Sequence, residues 1–557
     1  MKKVEVTHAQ KKGGCAGSIV LGILFFCIYL IAKFLFPSFR NFNVPLPMLL
    51  VGGVILYFFG NRILEFFAKM LGYAFGYSTS FIKGKIGLNK EFNKNFENAL
   101  SINKEIIVKN PFAGIFISGG AGSGKSKSLI EPLIKESGKK GFTGVVYDFK
   151  YPELAQYVNT AYQGSDITKY YFNFQDLTRS NKINPIAPEL MTNESFAREF
   201  AYTILVNLNP QMISKPDFWT DNATALLTSV FWYLRTKYPS YCTLPHAISM
   251  VLQPNVEALL RELSSVPKCA DMIAPILTAY YQKADNQLAG VISSLQISLS
   301  KINFNEVYYL MSQNDVNLQV NNPESKGILT IGNNPQLSST YAPLIGLILT
   351  SISKQLNRPG KEKSVFMIDE FPTVYIPNVE QLPATARSNK VATILACQDI
   401  SQMVDKYGRE KAETILSNLG NQFYGRTPNP ATARRVSEMF GKEEKTVMSE
   451  SITDPGLTIF LGDKYSKTES FSTRESDRVK LQDIANLNTG NFYVMLAESA
   501  ESERQGLAQI PMDNKFTKTE ILPFHSFSER DLEQAYNRVS LDVTEVILKN
   551  SILATQK

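Results

Sequence analysis

The stretch Gly119-Gly120-Ala121-Gly122-Ser123-Gly124-Lys125-Ser126 decides the fold of this chain of 557 residues. It follows the apolar run 115–117 and leads into the apolar residues 129–130, so a strand, a glycine-rich loop and a helix start come in succession. Glycines let backbone N–H groups surround a phosphate, and the helix N-terminus adds positive potential. The pattern predicts a P-loop at residues 119–127, including Lys127, that binds a nucleoside triphosphate. Lys125 would contact the β- and γ-phosphates, and the Ser126 hydroxyl would hold Mg²⁺.

The acidic partner of this loop is expected at residues 364–371. An apolar run, 364–368, ends there in Asp369 and Glu370, which is typical of a buried strand followed by two carboxylates. At the end of such a strand an Asp holds Mg²⁺, and an adjacent Glu acts as general base for the attacking water. A further strand, 391–397, ends at Gln398, which is placed to sense the γ-phosphate or to position that water.

Lys125 and Asp369 are 244 residues apart, too far for one compact P-loop core. Residues 144–150 predict the strand after the P-loop helix, and Asp148 lies at its ligand-binding end. From about residue 191 helical periodicity prevails until a strand at 327–331. The expected fold class is therefore α/β, a RecA-like P-loop ATPase core with an inserted all-α domain. The expected division is 91–190 (first part of the core), 191–320 (insertion), 321–523 (second part of the core) and 524–557 (helical tail). Residues 446–473, rich in Ser and Thr, predict a mobile loop.

The basic charge of the chain belongs to its N-terminal region. Residues 1–90 hold 11 Lys+Arg and 2 Asp+Glu, which leaves 47 basic and 49 acidic residues in the remainder. Bulk charge therefore does not favour DNA binding by the body of the protein, and any basic groove must be local.

Residues 1–90 predict a membrane anchor with two transmembrane helices. The uncharged stretches 13–32 and 41–61 match the ~20 residues needed to cross a bilayer core. Lysines and arginines cluster before the first stretch and after the second, whereas only Lys33 and Arg40 lie between them. The positive-inside rule thus places both termini and the main body in the cytoplasm. The expected location is the bacterial inner membrane, in a multi-pass arrangement.

Taken together, these residues resemble the coupling proteins of type IV secretion systems, the TraG/TraD-type conjugative ATPases. The resemblance covers nearly the whole chain: two N-terminal spans, a P-loop core, an inserted helical region and the stretch 382–402 after the acidic pair. Asp148-Phe149-Lys150 with Glu153-Leu154 is similar to an acidic-Pro-Lys-Gly-Glu-Leu strand end of the family, with Phe149 in place of the proline.

The resemblance implies an ATPase that uses ATP and Mg²⁺ to pump single-stranded DNA, with its bound relaxase, towards the channel of a type IV secretion system. It implies a homo-hexameric ring with each ATP site at a subunit boundary, completed by an arginine of the neighbouring subunit. Arg387 stands where the family places this arginine, while Arg426 and Arg434 are secondary candidates.

Two other functions remain open from the sequence. One is an ATP-driven receptor or pump for protein substrates, which the near-neutral body would suit because it needs no basic pore. The other is a membrane receptor that binds nucleotide without hydrolysis. Glu370 argues against the second function, since a protein that only binds nucleotide needs no positioned base.

Overall fold

The structure is a computed structural model that describes residues 97–453, 466–498, 505–512, 516–549 and Ser551. The two predicted membrane spans, 13–32 and 41–61, lie outside these residues. Within the described ranges, no helix is both long and apolar enough to cross a membrane. Residues 95–557 belong to one compact unit.

Strands alternate with helices along the first and last parts of this unit. The strands are β1 (Leu100–Ser101), β2 (Ile107–Val108), β3 (Ile115–Ser118), β4 (Thr143–Asp148), β5 (Thr168–Phe172), β6 (Asn321–Asn322), β7 (Ser325–Gly332), β8 (Ser364–Ile368), β9 (Val391–Cys397), β10 (Asn421–Tyr424), β11 (Lys442–Thr453), β12 (Ser466–Asp477), β13 (Asn491–Met495) and β14 (Gln505–Gln509).

The helices complete the architecture. They are α1 (Glu131–Lys139, preceded by the π-helical turn Ser126–Ile130), α2 (Glu153–Ala161), α3 (Glu194–Leu208), α4 (Phe218–Lys237), α5 (Leu244–Leu252), α6 (Val256–Ser264), α7 (Pro267–Met272), α8 (Ala274–Tyr281), α9 (Asp285–Ser300), α10 (Asn305–Met311), α11 (Ser338–Leu356), α12 (Leu382–Ala386), α13 (Ile400–Tyr407), α14 (Arg409–Asn418), α15 (Pro430–Phe440), α16 (Leu481–Ala485) and α17 (Glu529–Leu541).

A mixed sheet organises the molecule in the order β14-β13-β10-β3-β9-β8-β4-β7-β5. The strands from β10 to β5 run parallel to one another, and β13 and β14 add an antiparallel edge. One strand, β9, separates the P-loop strand β3 from the acidic strand β8. The carboxyl ends of β3, β9 and β8 therefore meet at one edge of the sheet, where α/β proteins bind their ligands.

The central strands are apolar without alternation because both faces of the sheet are covered. On β3, Ile115 and Ile117 belong to one apolar cluster with residues of α1 and α2. Phe116, between them, points to the opposite face and joins a cluster that continues into helices α3 to α10. The segment 194–311 is helical, as the sequence predicts. Its apolar residues belong to the same core cluster as one face of the sheet, so it does not have a separate core.

The prediction of a mobile loop at residues 446–473 was wrong over its two ends. β11 and β12 form a two-stranded antiparallel ribbon in which Lys442 pairs with Asp477 and Thr453 with Ser466. The cross-strand pair Met448 and Phe471 remains exposed. The described side chains of this ribbon are mostly exposed, and its sequence lacks the alternation of apolar and polar residues by which a strand is recognised.

Candidate nucleotide-binding site

The P-loop between β3 and the π-helical turn has a backbone that only glycine accommodates well. Gly122 and Gly124 have φ angles of 75° and 90°, which side chains disfavour. A Cβ at Gly119 would lie 2.5 Å from the Ser123 hydroxyl oxygen. The glycines predicted to allow a phosphate-binding loop therefore stand where the chain turns most sharply.

Two segments far away in sequence brace this loop. The Thr489 hydroxyl donates to the Gly122 carbonyl oxygen (2.8 Å), and the Gly490 N–H donates to the Ser123 carbonyl oxygen (2.9 Å). On the other side, the Arg426 guanidinium donates to the Ala121 carbonyl oxygen at 3.2 Å. Sequence reasoning missed the turn at 489–490 because nothing in its composition points to the loop.

Lys125 lies between the P-loop and the end of β8. Its Nζ is 3.2 Å from Glu370 Oε2 and 3.3 Å from the Asp369 carbonyl oxygen. Glu370 Oε1 in turn accepts a hydrogen bond from the Gln398 backbone N–H (3.1 Å). The side chains of Lys125 and Glu370 are only 10% and 7% exposed, so the pair is shielded from solvent. The structure thus brings three of the four predicted catalytic residues together.

Asp369, the predicted magnesium ligand, is buried beside this pair. Its Oδ1 has no hydrogen-bond partner among the described residues. Burial raises the pKa of Asp369 to about 6; Lys125 opposes this shift and Glu370 adds to it. An unsatisfied buried carboxylate oxygen is costly and suits a cation, and hydroxyl and carboxylate oxygens are the ligands that Mg²⁺ prefers. Ser126 follows Lys125 directly at the start of the helix, so the donor set fits a magnesium ion.

Lys127, also predicted to contact the nucleotide, turns away from the loop. Its Nζ donates to the Tyr157 hydroxyl of α2 (2.9 Å) and lies 3.5 Å from Glu131. The Lys127 side chain therefore packs against the helices on one face of the sheet. Only its backbone N–H group is left to contact a phosphate.

Asp148 at the end of β4 is completely buried. It accepts backbone N–H groups of Lys150 (3.2 Å), Leu154 (2.9 Å) and Ala155 (3.0 Å), and thereby fixes the start of α2. Burial raises its pKa to about 7, against the effect of these hydrogen bonds and with a contribution from the charge of Asp369. Asp148 thus stabilises the backbone at the edge of the site, and both of its carboxylate oxygens are already engaged by backbone N–H groups.

A hydrogen-bond chain ties Glu370 to the neighbouring strand ends. The Thr373 hydroxyl donates to the Glu370 carbonyl oxygen (2.6 Å) and shares a 2.8 Å hydrogen bond with the Tyr147 hydroxyl. Asn333, after β7, donates to the same Tyr147 oxygen at 2.7 Å. These residues hold the backbone of the acidic pair in place, and sequence reasoning did not identify them.

Arg387 is not part of this group within one chain. It follows α12 and precedes β9, so it lies towards the amino ends of the parallel strands, opposite the edge that carries the P-loop. Its side chain is 58% exposed and its Nη2 is 3.4 Å from Glu498 Oε1. Arg434 is also exposed, whereas Arg426 contacts the P-loop of its own chain.

The fold is that of bacterial conjugative coupling proteins. TrwB lacking 70 N-terminal residues, in a trigonal form with sulphate, matches with a TM-score of 0.57 and 16% identity over 74% of this chain and 88% of TrwB. TrwB in complex with ADP and Mg²⁺ matches with a TM-score of 0.53 and 15% identity over 75% and 88% of the two chains. TrwB with the non-hydrolysable ATP analogue ADPNP matches with a TM-score of 0.52 at 15% identity, over 74% and 87%.

No curated protein sequence matches this chain. The family model described as type IV secretory system conjugative DNA transfer matches residues 78–497, which include the P-loop, the acidic pair, Arg387 and Gln398. The chain therefore belongs to the conjugative DNA-transfer family of type IV secretion systems.

Proposed function

We propose that this protein is a membrane-anchored ATPase that couples relaxase-bound single-stranded DNA to a type IV secretion channel and drives its transfer during conjugation. The observation that carries the proposal is the contact of the P-loop Lys125 with Glu370, in a chain of the conjugative DNA-transfer family. A protein that merely bound nucleotide would not need a buried carboxylate at this position.

ATP is the proposed substrate and Mg²⁺ the proposed cofactor. The complexes of TrwB with ADPNP and with ADP and Mg²⁺ support this choice, because the P-loop geometry described above belongs to the same fold. Ser126 and Asp369 would hold the metal ion, which supplies positive charge at the β- and γ-phosphates.

The other residues of the site have separate proposed roles in ATP hydrolysis. Lys125 exchanges its contact with Glu370 for the phosphates of the bound nucleotide. Glu370, released from the lysine, accepts a proton from the attacking water. Gln398, at the end of the strand between the P-loop and Glu370, positions that water or senses the γ-phosphate. Arg426 braces the loop from within the same chain through its hydrogen bond to the Ala121 carbonyl oxygen.

Arg387 is proposed to complete the site of a neighbouring subunit in a homo-hexamer. Its exposure and its distance from the P-loop edge of its own chain support a role in trans. Mixed assemblies of Lys125→Met and Arg387→Ala chains test this role. Some subunit boundaries would then carry an intact P-loop and an intact arginine, so ATPase activity should exceed that of either variant alone. No recovery in co-assembled rings would contradict it.

The proposed arrangement of the protein in the cell rests on the sequence patterns of its segments. Residues 1–90 anchor the protein in the bacterial inner membrane by two helices, with both termini and the body in the cytoplasm. The ATPase core consists of 91–190 and 321–523, the segment 191–320 forms an all-α domain that selects cargo, and 524–557 forms a helical tail. The helix α17 in this tail begins with a capping box formed by Ser528 and Asp531.

The decisive experiment is an ATPase assay of the full-length protein in detergent, with and without single-stranded DNA. Wild-type activity should rise with DNA, while Lys125→Met should be inactive under both conditions. Glu370→Gln should bind ATP and hydrolyse it at least ~100-fold more slowly, because it lacks the base. Wild-type levels of hydrolysis in either variant would contradict the assignment of the site.

A protein-substrate pump remains the second candidate function. The specific observation in its favour is the balance of 47 basic and 49 acidic residues outside 1–90. Stimulation of hydrolysis by a secreted protein substrate, with no response to single-stranded DNA, would favour this function.

A further inference from the structure

Two cavities adjoin at the carboxyl edge of the sheet, beyond Glu370. The first has a volume of about 390 Å³, and its lining includes Glu370, Gln398, Thr373 and Lys406. The second, also of about 390 Å³, is lined by Thr373 and Lys406 as well, so the two meet at these side chains. The space next to Glu370 and Gln398 therefore continues past Lys406 into the second cavity.

Among the described residues that line the second cavity, Lys406 is the only charged one. The other polar residues that line this cavity include Gln336, Ser338 and the exposed Ser339, which supply hydrogen-bond donors. Asn207 also lines it, but the amide of Asn207 is already satisfied by Thr203 and Tyr375. The cavity thus offers a cation and hydroxyl groups, and no carboxylate.

The Lys406 ammonium group has no hydrogen bond or ion pair with any residue in the described part of the chain. Burial lowers the pKa of Lys406, with no neighbouring charge to offset the effect. A half-buried ammonium group without a partner is unfavourable, and side chains of this kind are kept where they meet a ligand of opposite charge. Lys406 belongs to α13, which begins two residues after Gln398, so the lysine and the nucleotide site share one rigid segment.

We propose that Lys406, with the hydroxyl groups around the second cavity, holds a phosphate oxyanion. This inference rests on the proposed function, since the first cavity places the site next to Glu370 and Gln398. The phosphate that leaves the nucleotide site is the source favoured by this adjacency. The same chemistry would also hold a backbone phosphate of a bound nucleic-acid strand. Asp405 is exposed at the first cavity, and its negative charge disfavours an anion there. The second cavity is therefore the proposed binding site of the phosphate.

Phosphate binding is measured on the full-length protein saturated with ADPNP and Mg²⁺, so that the P-loop is occupied. Inorganic phosphate should raise the melting temperature further in the wild type and in Lys406→Arg. The shift should vanish in Lys406→Met and persist in Lys104→Met, the control at an exposed lysine. Loss of one charged contact corresponds to an affinity about tenfold lower or more. If ADPNP itself does not stabilise the protein, the proposed function fails, and phosphate is then compared in the nucleotide-free wild type and Lys406→Met.

Two further measurements distinguish the sources. Inhibition of ATP hydrolysis by phosphate should weaken about tenfold in Lys406→Met if the site holds the released phosphate, with unchanged affinity for single-stranded DNA. A comparable loss of DNA affinity, with unchanged inhibition by phosphate, would assign the site to the nucleic-acid backbone. Equal phosphate binding, inhibition and DNA affinity in Lys406→Met and the wild type would overturn the proposal. Lys406→Met should be at least as stable as the wild type without phosphate, because it removes an unpartnered charge, so misfolding does not confound the comparison.

Discussion

Lys125 is expected to stabilise the nucleotide-free protein as well as to bind phosphate. Its ammonium group is 3.2 Å from Glu370 Oε2, and both side chains are almost fully buried. Replacing Lys125 by Met leaves Glu370 as a buried charge without its partner, which costs about 3–5 kcal/mol in comparable cases. The Asp369 carbonyl oxygen also loses its donor, which adds about 1 kcal/mol. We therefore expect Lys125→Met to lower the free energy of unfolding by about 4–6 kcal/mol.

The double variant isolates the pair. In Lys125→Met/Glu370→Gln the uncompensated carboxylate is gone, so most of the lost stability should return, with a coupling energy of about 3 kcal/mol. Denaturant unfolding of the four proteins without nucleotide measures this cycle, at equal protein concentration and in the same detergent. Neither variant with Lys125→Met should hydrolyse ATP, so stability and activity separate. Additive effects of the two substitutions would refute the reasoning that the pair is a buried ion pair.

The remaining predictions concern the loop and its surroundings. Gly124→Ala places a Cβ 3.1 Å from the Gly490 nitrogen, at a residue whose φ is 90°. The substitution should lower the free energy of unfolding by about 1–2 kcal/mol in denaturant unfolding and should weaken ADPNP binding at least tenfold. Unchanged ADPNP affinity would contradict this prediction. Arg426→Ala removes the donor to the Ala121 carbonyl oxygen. Isothermal titration should show an ADPNP affinity about tenfold lower with little change in stability, whereas equal affinity would show that this hydrogen bond does not hold the loop in its binding conformation. Asp148 has a pKa of about 7 in the folded protein against 3.8 ordinarily, so the unfolded chain loses its proton first and this group lowers stability as the pH rises from about 4 to 7. Urea unfolding of Asp148→Asn across this range should therefore show stability relative to the wild type increasing with pH; a constant difference would show that Asp148 does not titrate in this window.

The sequence predicts most of the sheet because its parallel strands are buried on both faces. Runs such as 364–368 and 391–397 are apolar throughout and end in polar residues, so both the strands and the residues at their carboxyl ends can be read directly. Since parallel strands end at the same edge, the meeting of Lys125, Glu370 and Gln398 follows from three separate motifs. The bracing turn at 489–490 and the position of Lys406 depend on which distant segments become neighbours, and nothing in their local sequence encodes that.

The side-chain contacts of Lys125 also suggest how the site couples binding to chemistry. The Glu370 carboxylate is engaged by Lys125, the P-loop lysine, so under the proposed function Glu370 is not available to the attacking water while this contact persists. Under the proposed function, a bound nucleotide would offer Lys125 a more highly charged partner, and the same movement would free Glu370 for the attacking water. Glu370 remains attached to Gln398 through the backbone N–H of that residue, and its own carbonyl oxygen is held by Thr373. The carboxylate would thus change its charge partner without losing its position, and the proposed hydrolysis would follow only after the phosphates had bound the lysine.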